Sequence, residues 1–189
     1  SPFLLLAGDS VIVKLTATNE IGTSAAARTG NGAQIVTAPS TPVAPITSVS
    51  GTDVVISWTK PSTYGNNLTA YTILIQKKDS NFAKDVTNCD GVDYIAQANP
   101  SCTIPLSALT SSPFLLLAGD SVIVKLTATN EIGTSAESPT GNGAQIVTAL
   151  STPVAPITSV SGTDVVISWT KPSTNGNNLT AYTILIQKK

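Results

Sequence analysis

The chain has 189 residues, a formal net charge of −1, only 11% charged residues and no histidine. So sparse a charge excludes the electrostatic footing of nucleic-acid binding. The absence of imidazole removes the commonest general base, any Cys–His nucleophile and the usual zinc ligand, so no enzyme activity and no cofactor are expected.

In chain order, residues 1–78 are repeated at residues 112–189, an offset of 111, with five substitutions: Ala26/Glu137, Ala27/Ser138, Arg28/Pro139, Pro39/Leu150 and Tyr64/Asn175. Self-similarity at that period marks a tandem array of whole domains, because about a hundred residues bury their own core. None of the five falls at a position assigned below to a core. Residues 53–58 alternate strictly and put Val54, Ile56 and Trp58 on one face. Residues 68–75 do the same with Tyr71, Ile73 and Ile75, and residues 121–128 with Val122, Val124, Leu126 and Ala128. Residues 101–106 form another strand and residues 145–148 a short last one. Gly-, Pro- and Asn-rich breakers separate these runs at 50–52, 60–67, 118–120 and 140–143. No segment carries convincing helical periodicity. The pattern is all-β, and many short strands with a turn signal every ten residues or so predict antiparallel sandwiches.

Residues 79–100 are the least regular. They read as a strand plus an excursion, with turn signals at residues 88–91 and 99–101. The two cysteines, Cys89 and Cys102, lie 13 apart, which is neither metal-ligand nor redox-motif spacing. An intradomain disulfide is expected, which places the protein in an oxidising compartment. The alternative is two buried free thiols in a cytosolic protein. Asp79, Asp85, Asp90 and Asp93 cluster loosely nearby. Oxygen ligands of this kind suit calcium, but the spacing fits no calcium loop and a solvated loop face is the better reading.

The order of landmarks resembles a fibronectin type III domain. A Pro-rich entry (Pro42, Pro45) precedes a strand ending in Trp58. A loop with Pro61 follows, then a strand entered by Leu68 with Tyr71 three residues on. Ile104-Pro105-Leu106 and Leu109 come later, and the stretch from Ala128 to Ser135 matches the family's A-x-N-x-x-G-x-S after its sixth strand. The resemblance implies tandem fibronectin type III/immunoglobulin-like sandwiches: residues 1–38 the C-terminal part of one repeat, 39–149 a complete domain, and 150–189 the N-terminal part of the next. Two features depart from the family. Val122 stands where the family usually has a tyrosine, so no tyrosine corner is expected. The cysteine-bearing excursion is also not general in the family, and is similar to Cys-containing repeats of very long surface proteins of microbial eukaryotes. No Arg-Gly-Asp occurs, which does not support an animal integrin-type adhesion role.

Asn67-Leu68-Thr69 and Asn178-Leu179-Thr180 are the two N-glycosylation sequons. Asn67 closes an exposed turn before a strand, so an acceptor and a plain turn asparagine are both open readings. Ser and Thr together number 48. They suit either a hydroxyl-rich β surface or one bearing O-linked sugar, and no mucin-like tract favours the latter. Trp58, Trp169, Tyr71 and Tyr182 suggest a sugar-stacking platform only if exposed. Their inward register makes them core instead.

The expected function is therefore structural. The chain reads as an extracellular or cell-surface segment of an array that forms a fibre, stalk or coat, with neighbouring copies and covalent glycans as partners, no nucleic acid and no membrane span. An adhesion or binding module acting through sandwich-end loops is the alternative, and an accessory array beside an enzyme a third. The partial repeats at either end bare Val11, Val13 and Leu15 on one side and Val165, Ile167, Trp169, Tyr182, Ile184 and Ile186 on the other. Such faces need completing, either by continuation of the polypeptide, the favoured reading, or by neighbouring chains adding strands.

Overall fold

The structure is a computed structural model that describes residues 3–187. Ser1, Pro2, Lys188 and Lys189, the outermost residues of the repeated segment, lie outside the described residues. In chain order the elements are β1 (Ser10–Val13), β2 (Gly30–Gln34), β3 (Ile46–Ser50), β4 (Asp53–Ser57), β5 (Leu68–Gln76), β6 (Phe82–Ala83), β7 (Ser101–Pro105), α1 (Leu106–Thr110), β8 (Val124–Asn130), β9 (Ile157–Ser161) and β10 (Asp164–Ser168). All strand pairs are antiparallel. Two three-stranded sheets, β3-β4-β7 and β6-β5-β8, form a sandwich, and two-stranded sheets β1-β2 and β9-β10 flank it in sequence.

The alternation read from the sequence sets the core. Successive side chains of a strand point to opposite faces, so Val54 and Ile56 of β4 meet Tyr71, Ile73 and Ile75 of β5 and Val124, Leu126 and Ala128 of β8. Val122, just ahead of β8, is fully buried where a corner tyrosine was not expected. Trp58 joins this core directly after β4. Its ring stands edge-on to Tyr71 at 5.4 Å and to Tyr94 at 5.7 Å. The core also takes in Leu109, Phe114, Leu116 and Ala144, which no strand pattern had singled out, and Ile146 from the expected last strand.

Three elements differ from the sequence expectation. First, residues 106–110 form a short helix that buries Leu109. One turn shows no periodicity in a sequence. Pro105 sets its start, and the Ser111 and Thr110 hydroxyls donate back to the carbonyls of Ser107 (2.7 Å) and Leu106 (3.0 Å). Second, the expected last strand at 145–148 is not a continuous strand, and its pairing begins earlier, with isolated bridges at Gly141 and Gln145. Backbone bonds join Val124 to Gly141 in both directions, Val122 N–H to Ala144 O and Ile146 N–H to Asp120 O. The segment runs so close to β3 that a Cβ on Gly141 would collide with the Pro45 carbonyl, so glycine is required there. Third, β9 and β10 are the only strands among the described residues after 150. Residues 179–187 share the sequence of β5 but are not paired as a strand.

The sandwich is closed at one edge by Thr47, a buried polar residue. Its hydroxyl donates to Val122 O (3.2 Å) and accepts from Ala144 N–H (2.9 Å), tying β3 to the opposite sheet. Beyond β5, Lys78 Nζ reaches both carboxylate oxygens of Asp120 at 2.9 Å. That ammonium, together with the Leu117 N–H, holds the Asp120 carboxyl below its ordinary pKa range.

Candidate functional site

The excursion after β6 is held by local turn chemistry. Asp85 accepts from Thr87 N–H, Asn88 N–H and Asn88 Nδ2, Asp90 accepts from Val92 N–H, and Asp79 accepts from Asn81 N–H and Lys77 Nζ. The Lys77 ammonium, ahead of the Asn81 N–H, lowers the Asp79 pKa. These aspartates cap separate turns rather than converge. Among the described residues no three His, Cys, Asp or Glu side chains come together as a metal would require. Cys89 and Cys102 are joined in a disulfide with Cα atoms 5.4 Å apart, both sulfurs inside the core. Cys102 lies on β7 opposite Ile56, so the bridge pins the excursion to the edge strand of a sheet. Gly91 then packs on the Tyr71 backbone, where a Cβ would not fit.

The A-x-N-x-x-G-x-S stretch has a clear physical role. Asn130 Oδ1 accepts from the N–H groups of Ile132 and Gly133 at 3.0 and 3.1 Å, closing the turn after β8. Ser135 Oγ accepts Ala128 N–H and donates to Ala136 O. The same bonds recur 111 residues earlier, where Asn19 serves Ile21 and Gly22 and Ser24 serves Ala17 and Ala25. The Asn130 amide is left over, and it donates to Thr37 O at 2.8 Å, in the segment that enters the sandwich.

That entry segment and its counterpart 111 residues later each form a joint with a loop further along the chain. Ser40 N–H donates to Ser62 O (2.9 Å) and Ser62 N–H donates to Ser40 Oγ (3.0 Å). At the second joint Ser151 N–H donates to Ser173 O (3.2 Å) and Ser173 N–H to Ser151 Oγ (2.9 Å). A reciprocal two-bond clamp therefore links each incoming segment to the loop that follows the second strand of its repeat. Sequence reasoning missed it, although the 22-residue Ser–Ser spacing occurs at both places.

Two of the five repeat differences sit at these joints. Tyr64 and Asn175 both adopt the left-handed backbone, at φ 49° and 47°. Asparagine tolerates that conformation far better than tyrosine. Asn175 Nδ2 donates to Ala149 O at 2.6 Å, whereas the Tyr64 ring lies beside Gly8 and the Gln34 amide donates to Gly8 O. Pro39 is buried, and its counterpart Leu150 is exposed. The other three differences adjoin one another. Glu137 pairs with Lys125 at 2.7 Å, a partner that Ala26 cannot offer Lys14. Ser138 is buried, as Pro39 is, although neither is among the core positions assigned from the sequence. It accepts Leu126 N–H at 3.0 Å, a bond lost with Ala27. Nothing in the structure explains Arg28/Pro139.

Asn67 and Asn178 are both exposed, each ahead of the segment that carries the β5 sequence. The Thr69 hydroxyl of the first sequon donates to Thr129 O at 3.3 Å. Trp58 and Tyr71 are core residues, not a stacking platform, while Trp169 and Tyr182 retain the edge-on pairing at 5.4 Å but are 41% and 42% exposed. Among the described residues no helix is long and apolar enough to cross a membrane.

No protein-family model matches the chain, and no curated protein matches it. Among solved structures it is similar to titin kinase and its flanking domains, at 18% identity and a TM-score of 0.40 over 58% of this chain and 17% of that one. It is similar to domains A168–A170 from titin, at 17% identity and 0.42 over 75% and 42%. It is also similar to the chicken CNTN1 FN1–FN3 domains, at 15% identity and 0.41 over 84% and 53%. The chain thus spans from about a sixth to about half the length of these relatives. The fibronectin type III-like fold is read from the two sheets and the core between them.

Proposed function

We propose that this chain is a structural extracellular protein, a segment of a tandem β-sandwich array that forms a fibre, stalk or surface coat. On this reading residues 39–149 are one complete unit, residues 1–38 the end of the unit before and residues 150–189 the start of the unit after. The observation that carries it is a hydrogen bond across each boundary between these units, Asn130 Nδ2 to Thr37 O at the first and Asn175 Nδ2 to Ala149 O at the second. A head-to-tail contact that does not close generates a filament. The first of these contacts also occupies a loop at one end of the sandwich, through Asn130. That weakens the adhesion alternative, which needs such loops free. Negative-stain imaging of native material tests the proposal: long fibres of uniform width with a repeat of one domain length support it, and separate flexible chains overturn it.

The disulfide supports an oxidising compartment, and the exposed sequons support N-linked glycans as covalent partners. Native protein is expected to lose mass on enzymatic N-deglycosylation, with Asn67 and Asn178 converted to aspartate. Unconverted asparagine at both positions would return them to ordinary turn residues.

A further inference from the structure

Asparagine followed by glycine occurs three times in the chain, at Asn31–Gly32, Asn142–Gly143 and Asn175–Gly176. In this dipeptide the backbone nitrogen of glycine can attack the preceding carboxamide, because no Cβ hinders its approach. The fold treats the three differently. In the sandwich Gly141 pairs with Val124 by backbone bonds in both directions, and Val122 N–H donates to Ala144 O. Asn142 and Gly143 together therefore oppose the single residue Ile123, and they form a bulge. The same irregularity stands between β1 and β2, where Val13 pairs with Gly30 and Val11 with Ala33, leaving Asn31 and Gly32 between. Both bulges need glycine, at φ 140° for Gly143 and 129° for Gly32. A bulge leaves its extra residue outside the ladder. Asn31 and Asn142 are exposed, and neither side chain bonds to another described residue. Gly143 N–H likewise has no backbone partner among the described residues.

Asn175 is held. It is half-buried, its Nδ2 donates to Ala149 O at 2.6 Å, and its Oδ1 accepts from Ser173 Oγ at 2.7 Å. Its backbone is left-handed at φ 47°. That region carries ψ of about +47°, which turns the next nitrogen away from the side chain.

We propose that Asn142 and Asn31, in the bulges of the closing strands, are sites of spontaneous deamidation and isomerisation, and that the fold protects Asn175. The Gly143 nitrogen gives its proton to solvent and bonds to Asn142 Cγ. The bond from Cγ to Nδ2 breaks, and that nitrogen takes up a proton from water and leaves as ammonia. Water then opens the succinimide. Opening at the side-chain carbonyl leaves aspartate, and opening at the backbone carbonyl leaves isoaspartate, whose main chain is one carbon longer. Water is the only co-reactant. The longer chain matters because both flanks are fixed. Gly141 lies against the Pro45 carbonyl and Gly143 against that of Thr47, and Ala144 N–H donates to Thr47 Oγ1 at 2.9 Å. An extra carbon between these anchors is taken up only by releasing one of them, and the Ala144 amide is the nearest to release. The site stands independently of the array reading.

Incubating the folded chain in mildly alkaline buffer, followed by peptide mass mapping with isoaspartate identified by fragmentation, reads the order of conversion. Asn142 and Asn31 are expected to convert roughly ten-fold faster than Asn175, the factor given by a barrier difference of about one hydrogen bond. In unfolding concentrations of urea the three rates should converge, because bulges and joint are gone. Equal rates in the folded chain, or Asn175 leading, would overturn the assignment. Asn142→Asp supplies the ordinary product without the longer main chain. Hydrogen exchange should find the Ala144 amide protected in that variant and unprotected in chains carrying isoaspartate at 142. Protection in both would remove the loosening of the closing strand, and loss in both would assign it to the new charge instead of the added carbon.

Discussion

Replacing Trp58 by alanine in the 189-residue chain is expected to lower the stability of the sandwich by about 3–5 kcal/mol. The indole is 5% exposed and is packed between β4, β5 and the excursion, with two rings edge-on to it. Its removal leaves a void that two hydrogen-bonded sheets cannot collapse to fill, so the cavity cost adds to the lost transfer energy. Two further substitutions separate this cause from a general loss of aromatic mass. Trp169→Ala removes the same side chain from a site 41% exposed and should cost much less. Tyr71→Phe should be close to neutral. The Tyr71 hydroxyl is buried without a hydrogen-bond partner among the described residues, and burial raises its pKa. Deleting an unsatisfied polar atom removes a cost rather than a bond. Urea unfolding followed by far-UV circular dichroism reads all three. A loss below about 1 kcal/mol for Trp58→Ala would mean that the inner face has been wrongly assigned.

The inner face was legible because a strand with one buried side alternates by two, and β4, β5 and β8 do so without interruption. Val54, Ile56, Tyr71, Ile73, Ile75, Val124 and Leu126 could each be placed from the sequence, and each is in the core. What could not be read has no period. Leu109 reaches the core from a single helical turn, Tyr94 from an irregular excursion, and Ala144 from a segment that Gly141 lets pass over Pro45. Such positions depend on where the chain crosses another element, which local pattern does not record. The joints were hidden for the same reason. Ser40 and Ser62 look like turn residues, and only the fold brings one backbone against the other. The A-x-N-x-x-G-x-S stretch was legible only as a family match, and neither the turn its asparagine closes nor the amide bond to Thr37 was.

Loss of the Cys89–Cys102 bridge is expected to cost about 2–4 kcal/mol, next in size to the tryptophan effect. The bond closes a loop of sequence separation 13, and a loop of that length gives on the order of 3 kcal/mol in the chain-entropy account. Its position adds a second effect. Cys102 sits near the start of β7, facing the core beside Ile104, and Cys89 carries the turn that brings Gly91 onto β5. Few long apolar side chains hold residues 84–100 in place. Tyr94 and Ile95 are only partly buried, and the aspartates bond within their own turns. The bridge is therefore the chief tie between excursion and sheet. In the Cys89→Ser/Cys102→Ser variant the excursion should open before the sheets do. Limited proteolysis should cut first between residues 84 and 100, while the β5–β8 pairing keeps its amide protons protected from exchange. If excursion and sheets became labile together, the loop would belong to the cooperative core, and the bridge would be securing the whole sandwich rather than one segment of it.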